Sequence, residues 1–102
     1  MNKNKTRERW REDMERDLKA VDWFKSQMIK TLGHNSDKKH KHWLKCSYDY
    51  LFSRLQDEVK ELQEVLFDDK ISYKHKKIIL ESSDVGNFSM MIADKAQNGH
   101  LF

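Results

Sequence analysis

The segment WLKCSYDYLFSRLQDEVKELQEVLF, residues 43–67, decides the fold. Leu44, Tyr48, Leu51, Leu55, Val59, Leu62 and Leu66 recur every three or four residues. That period draws one apolar stripe down an α-helix and conflicts with the alternation of a half-buried strand. Upstream, residues 6–32 carry Trp10, Met14, Leu18, Val21, Met28 and Leu32 at similar spacing. The stretch GHNSDKKHKH, residues 33–42, interrupts the pattern, with Gly33 placed to end the first helix as its C-cap. Downstream, DDKIS at 68–72 leads into a third helical block at 73–96, with Ser72 as its expected N-cap. The tail QNGHLF is expected to fray. The expectation is an all-α bundle of three long helices in a single domain, 1–102. Its parts are an N-terminal helix over 1–32 and a helix pair over 43–96.

Composition supports that reading. The 102 residues contain no proline and three glycines, too few turn-formers for a sandwich or barrel. Charged residues make up 36% and hydrophobic residues 37%, but the net charge is only +3 and the apolar spacing is regular. A folded chain is expected, not a disordered polyampholyte. The single Cys46 excludes an internal disulfide and suits a half-buried structural position in a reducing compartment. No window is long and apolar enough to span a bilayer, and the charged N-terminus lacks a signal-peptide core. The sequence therefore predicts a soluble, cytoplasmic protein without a membrane partner.

The third block raises a chemical question. In IILESSDVGNFSMMIADK, residues 78–95, the residues Ile78, Val85, Phe88, Met91 and Ile92 share one helical arc. Glu81 and Asp84 fall inside that arc, and Asn87 lies at its edge. The second block carries Glu58 and Glu61 at the same spacing, with Glu58 bordering the leucine stripe and Glu61 further round. An unpaired buried carboxylate costs several kcal/mol or takes up a proton. A divalent cation between the helices relieves both burial and mutual repulsion, and an all-oxygen ligand set suits Mg²⁺ or Mn²⁺. The competing reading of Glu58 and Glu61 is a solvated helix face. For Glu81 and Asp84 it is a salt bridge to a lysine or arginine of another helix.

DEVKEL at 57–62 followed by ESSDVGNF at 81–88 resembles the MazG-like, all-α nucleoside triphosphate pyrophosphohydrolases. The resemblance covers residues 43–95. Asp57 stands where a glutamate is usual, and the N-terminal helix has no counterpart. The resemblance implies hydrolysis of a nucleoside triphosphate to the monophosphate and pyrophosphate. It implies that Glu58, Glu61, Glu81 and Asp84 hold Mg²⁺ or Mn²⁺, with Glu61 also accepting a proton from water. Asn87, Lys41, Asn35 and Lys95 are the candidates for substrate contact. For Lys95 the alternative is capping the helix dipole, and for the basic loop it is plain solvation. His40 and His42 are too closely spaced, without a cysteine, to suggest zinc.

Two further readings concern partners. The basic stretch NKNKTRERWRED, residues 2–13, admits a nucleic-acid-binding helical protein, but interleaved acids and the weak net charge make nucleic acid an unlikely partner. Three helices leave apolar surface uncovered, so a homodimer or dimer of dimers is expected, and a dimerising bundle without catalysis is the remaining alternative. Trp10, Trp23 and Trp43 are assigned to core or interface packing, and Met90 and Met91 to the core.

Overall fold

The computed structural model describes residues 3–35, 42–70, 72 and 74–99. They form α1 (Lys3–Asn35), a short 3₁₀ turn (Trp43–Lys45), α2 (Tyr48–Phe67) and α3 (Lys74–Gln97), with no strand among the described residues. The all-α architecture is as the periodicity predicts. No described helix is long and apolar enough to cross a membrane.

Helix boundaries differ from expectation where side-chain chemistry outweighs periodicity. Gly33 does not cap α1, which continues to Asn35. The second helix does not start at Trp43. The chain breaks after the 3₁₀ turn, and Ser47 caps α2 by accepting a hydrogen bond from the Tyr50 N–H at 3.1 Å. Ser72 stands two residues before the first helical residue of α3 and so is not its N-cap. The end of α3 does not fray at Gln97. The Asn98 N–H donates to the Asp94 carbonyl at 3.2 Å and the Gly99 N–H to the Ala96 carbonyl at 3.0 Å. Gly99, at φ +76°, supplies the left-handed residue that closes the helix.

Helix α3 is the centre of the described residues, because α1 and α2 each pack chiefly on it. Toward α1 it presents small and polar residues. A Cβ on Gly86 would sit 2.9 Å from Cε2 of Phe24, so glycine permits this close approach. Next to it, Asn87 Nδ2 donates to the Met28 carbonyl at 3.1 Å and to Thr31 Oγ1 at 2.8 Å. Toward α2, Phe88 and Met91 meet Leu51 in the core, with Leu32, Trp43, Cys46, Leu55, Met90 and Ile92 packed around them. Cys46 is half-buried, as expected.

The 3₁₀ turn is fastened to the end of α3. Trp43 Nε1 donates to Asp94 Oδ2 at 2.8 Å, and Lys95 Nζ donates to the Leu44 carbonyl at 3.1 Å. The Lys95 ammonium also lies 5.2 Å from the Tyr48 ring centroid.

Two apolar rows are not where the stripes imply. Helix α2 buries Leu51, Glu58 and Val65, whereas Val59 and Leu66, members of the expected core stripe, are exposed. Helix α1 packs only through its C-terminal part, so Trp10, Met14, Leu18, Val21 and Trp23 are exposed and outside the core.

Candidate metal centre

Spacing of i, i+3 sets Glu58 and Glu61 on one side of α2, and Glu81 and Asp84 on one side of α3. Because α2 turns its Glu58 row toward α3, the two sides meet. One carboxylate oxygen from each of Glu58, Glu61 and Glu81 lies within 4.8 Å of the others. Glu58 is 4% exposed, Glu81 half-buried and Glu61 exposed, so the group runs from the interior to the surface. Asp84 falls outside this trio but close enough to act on it through its charge.

The electrostatics follow from the packing. Burial, then the facing Glu61 carboxyl with its charge, then the charge of Asp84 push the Glu58 carboxyl from 4.5 to about 7, against the pull of Arg54. Burial, then the charge of the facing Glu61 carboxyl and that of Asp84 raise Glu81 to about 7 as well, against Lys77. Glu61 is thus the hub that both buried acids face. Oε2 of Glu58 and Oε2 of Glu81 are buried without a hydrogen-bond partner. Such oxygens are expensive to leave bare, and either a shared proton or a cation relieves them. The donor set is all carboxylate oxygen, which fits a hard divalent cation.

Arginine does contact the cluster, though not from another helix. Arg54, one turn before Glu58 on α2, donates from Nη2 to Glu58 Oε1 at 3.2 Å and from Nη1 to Asp57 Oδ2 at 3.3 Å. Its guanidinium lies 5.3 Å from the Phe88 ring centroid. It therefore holds one oxygen of Glu58 and leaves the other toward the trio. Among the described residues no ion pair holds Glu61 or Glu81. Arg54 and Lys77 were not among the sequence candidates. The signal for both is local, a base four residues before each leading acid.

The candidate substrate contacts are placed differently. Asn87 is 1% exposed, and its amide N–H groups are committed to α1, while its Oδ1 has no hydrogen-bond partner. Lys95 is 2% exposed and committed to the 3₁₀ turn, an anchoring role neither sequence reading named. Lys41 and the Asn35 side chain lie outside the described residues. Comparison of the chain with protein-family models, curated proteins and solved structures finds no match.

Proposed function

We propose that this chain is a Mg²⁺- or Mn²⁺-dependent nucleoside triphosphate pyrophosphohydrolase, releasing pyrophosphate and a nucleoside monophosphate. The observation that carries the reading is the convergence of Glu58, Glu61 and Glu81 within 4.8 Å, with buried carboxylate oxygens of Glu58 and Glu81 lacking hydrogen-bond partners. The resemblance of DEVKEL and ESSDVGNF to the MazG-like pattern gives the chemistry its class.

Glu58, Glu61 and Glu81 would hold the cation, with Asp84 adding negative charge beside them. When bound, the cation neutralises the phosphate chain and polarises the group under attack. Arg54 fixes Glu58 so that Oε2 remains turned to the trio. Glu61, the solvent-facing member, would take the proton of an attacking water, a role its exposure supports. Glu58 and Glu81, with carboxyl groups raised to about 7, bind protons in competition with the metal, so metal affinity rises with pH through neutrality.

A panel of nucleoside triphosphates assayed with Mg²⁺ for pyrophosphate release tests the reading. At least one substrate is expected to turn over, and Glu81→Gln is expected to abolish turnover with helicity retained. No release from any member of the panel would remove the enzymatic assignment. Undiminished release by Glu81→Gln would remove Glu81 from the mechanism.

A further inference from the structure

The acid cluster has unlike ends. At the end marked by Phe88, the neighbouring cation is Arg54, and Asp57 and Glu58 already hold it at 3.3 Å and 3.2 Å. Its charge is spent within the protein. At the other end α3 begins. Lys77 stands one turn before Glu81, about 6 Å along the axis at 1.5 Å per residue, and Lys74 lies one turn earlier. Steps of three and four residues keep Lys74, Lys77, Glu81 and Asp84 on one side of the helix. Lys77 is exposed, and among the described residues neither it nor Lys74 has a hydrogen bond or ion pair. The first turn of α3 contains no acid, so the positive end of the helix dipole adds to these two charges.

We propose that the phosphate chain of the substrate lies along α3, from the acid trio toward the helix N-terminus, with Lys77 contacting its outer phosphates. The proposal rests on the pyrophosphohydrolase reading above and gives its substrate a direction. The outer phosphates carry most of the charge of a triphosphate. A cation on the trio neutralises part of it, and fixed positive groups must meet the rest. Lysine does this as a point charge on a flexible four-carbon stem, long enough to return along one helical turn to the metal. Lys77 can do so without breaking a native contact, whereas Arg54 is paired and Lys95 is buried against the Leu44 carbonyl. The charge of Lys77 is already felt at Glu81, where it opposes the effect of burial. The nucleoside is left the Arg54 end, where the positive charge is already met.

Steady-state kinetics at pH 8 with Mn²⁺ and the triphosphate that turns over fastest test the contact. Lys77→Gln is expected to raise KM about tenfold, the loss of one charge-assisted hydrogen bond. Inhibition by pyrophosphate is expected to weaken by a similar factor, and inhibition by the nucleoside monophosphate to stay unchanged. Lys77→Arg is expected to recover most of the loss. Lys76→Gln makes the same charge change on the opposite side of α3 and is expected to match the parent. Calorimetry without nucleotide is expected to show Lys77→Gln binding Mn²⁺ at least as tightly as the parent, because a positive charge beside the ligands is gone. An unchanged KM in Lys77→Gln, an equal rise in Lys76→Gln, or weaker Mn²⁺ binding by Lys77→Gln overturns the contact and leaves the enzymatic reading standing. Equal weakening of monophosphate and pyrophosphate inhibition overturns the direction. A parent chain that binds Mn²⁺ but turns over no triphosphate removes the enzymatic reading and this proposal with it.

Discussion

Glu58→Gln reports directly on whether the acid cluster is held at a cost. The folded state raises the Glu58 carboxyl from 4.5 to about 7, chiefly through burial and then through Glu61. The folded protein therefore binds more protons than the unfolded chain between those values, and stability falls with pH across the window. The contribution is fully present below 4.5, lost as pH rises through about 7, and flat above. At pH 8 without divalent cations, ionised Glu58 weakens the fold by about 3 kcal/mol, from 1.36 kcal/mol per pKa unit. Glutamine keeps the shape, carries no charge and can donate to Glu61. Arg54 loses its Glu58 contact but keeps Asp57, and its side chain is 39% exposed, so the offsetting loss is small. The variant is expected to be more stable than the parent by about 2 kcal/mol at pH 8 in a chelator, or about 10 °C in Tm for a chain of this size. Near pH 4 the two are expected to match. Adding Mn²⁺ at pH 8 is expected to raise the Tm of the parent and to do little for the variant, because only the parent retains the third carboxylate. Urea denaturation at pH 4, 6 and 8, with and without the metal, reads all of these. A variant less stable than the parent at pH 8 in chelator would refute the reasoning, since it would mean that Arg54 overcompensates burial.

Three further outcomes follow from the packing around α3. Gly86→Leu drives a side chain into Phe24 and Met28 and is expected to cost about 1–3 kcal/mol despite leucine's better helix propensity, as measured by urea denaturation. Asn87→Asp replaces a buried donor by a charge facing the Met28 carbonyl, so it is expected to destabilise more than Asn87→Ala in the same assay. The Trp43 indole is the leading cause of the lowered Asp94 carboxyl, so Trp43→Phe is expected to move that titration back up toward 3.8, read by carboxyl NMR. Because a depressed acid stabilises the fold above its ordinary range and loses that effect as pH falls, the Asp94 contribution to the acid limb should shrink in this variant.

The helices were legible in the sequence because each carries an apolar period, but their faces were less so. The α1-facing side of α3 is Ser83, Gly86 and Asn87, residues with little hydrophobic signal. Its fit comes from the absence of a side chain at Gly86 and from the amide bonds of Asn87, and periodicity detects neither. Asn87 was read as a substrate contact for the same reason, since a polar residue at the edge of an apolar arc looks available until a neighbouring helix is seen to claim it. Lys95 is a similar case. Its burial follows from the carbonyl of Leu44 and the ring of Tyr48, both distant in sequence. The acid trio was legible because it rests on spacing within each helix and on the expense of inward-facing carboxylates, which do not depend on which helix neighbours which.

The rotation of α2 links the cluster to the uncovered rows. A helix packed only to hide apolar area would turn Leu55, Val59, Leu62 and Leu66 toward α3. This one turns Leu51, Glu58 and Val65 inward and leaves Phe52, Val59 and Leu66 in water. Relative to the alternative, that choice forfeits on the order of 1 kcal/mol for each large side chain left half exposed, and it adds the expense of burying Glu58. Both costs arise from one rigid-body rotation, so the same turn that brings Glu58 and Glu61 to Glu81 strips the cover from the outer face of α2. A bound cation would offset the expense of burying Glu58, so the metal site and the rotation of α2 should be coupled. Val59→Glu places a charge that the alternative rotation would have to bury, so it holds α2 in the present one. It is expected to leave Mn²⁺ affinity, measured by calorimetry, at least as tight as in the parent. Weaker affinity in a variant that keeps its helicity would mean that the rotation of α2 does not govern the site.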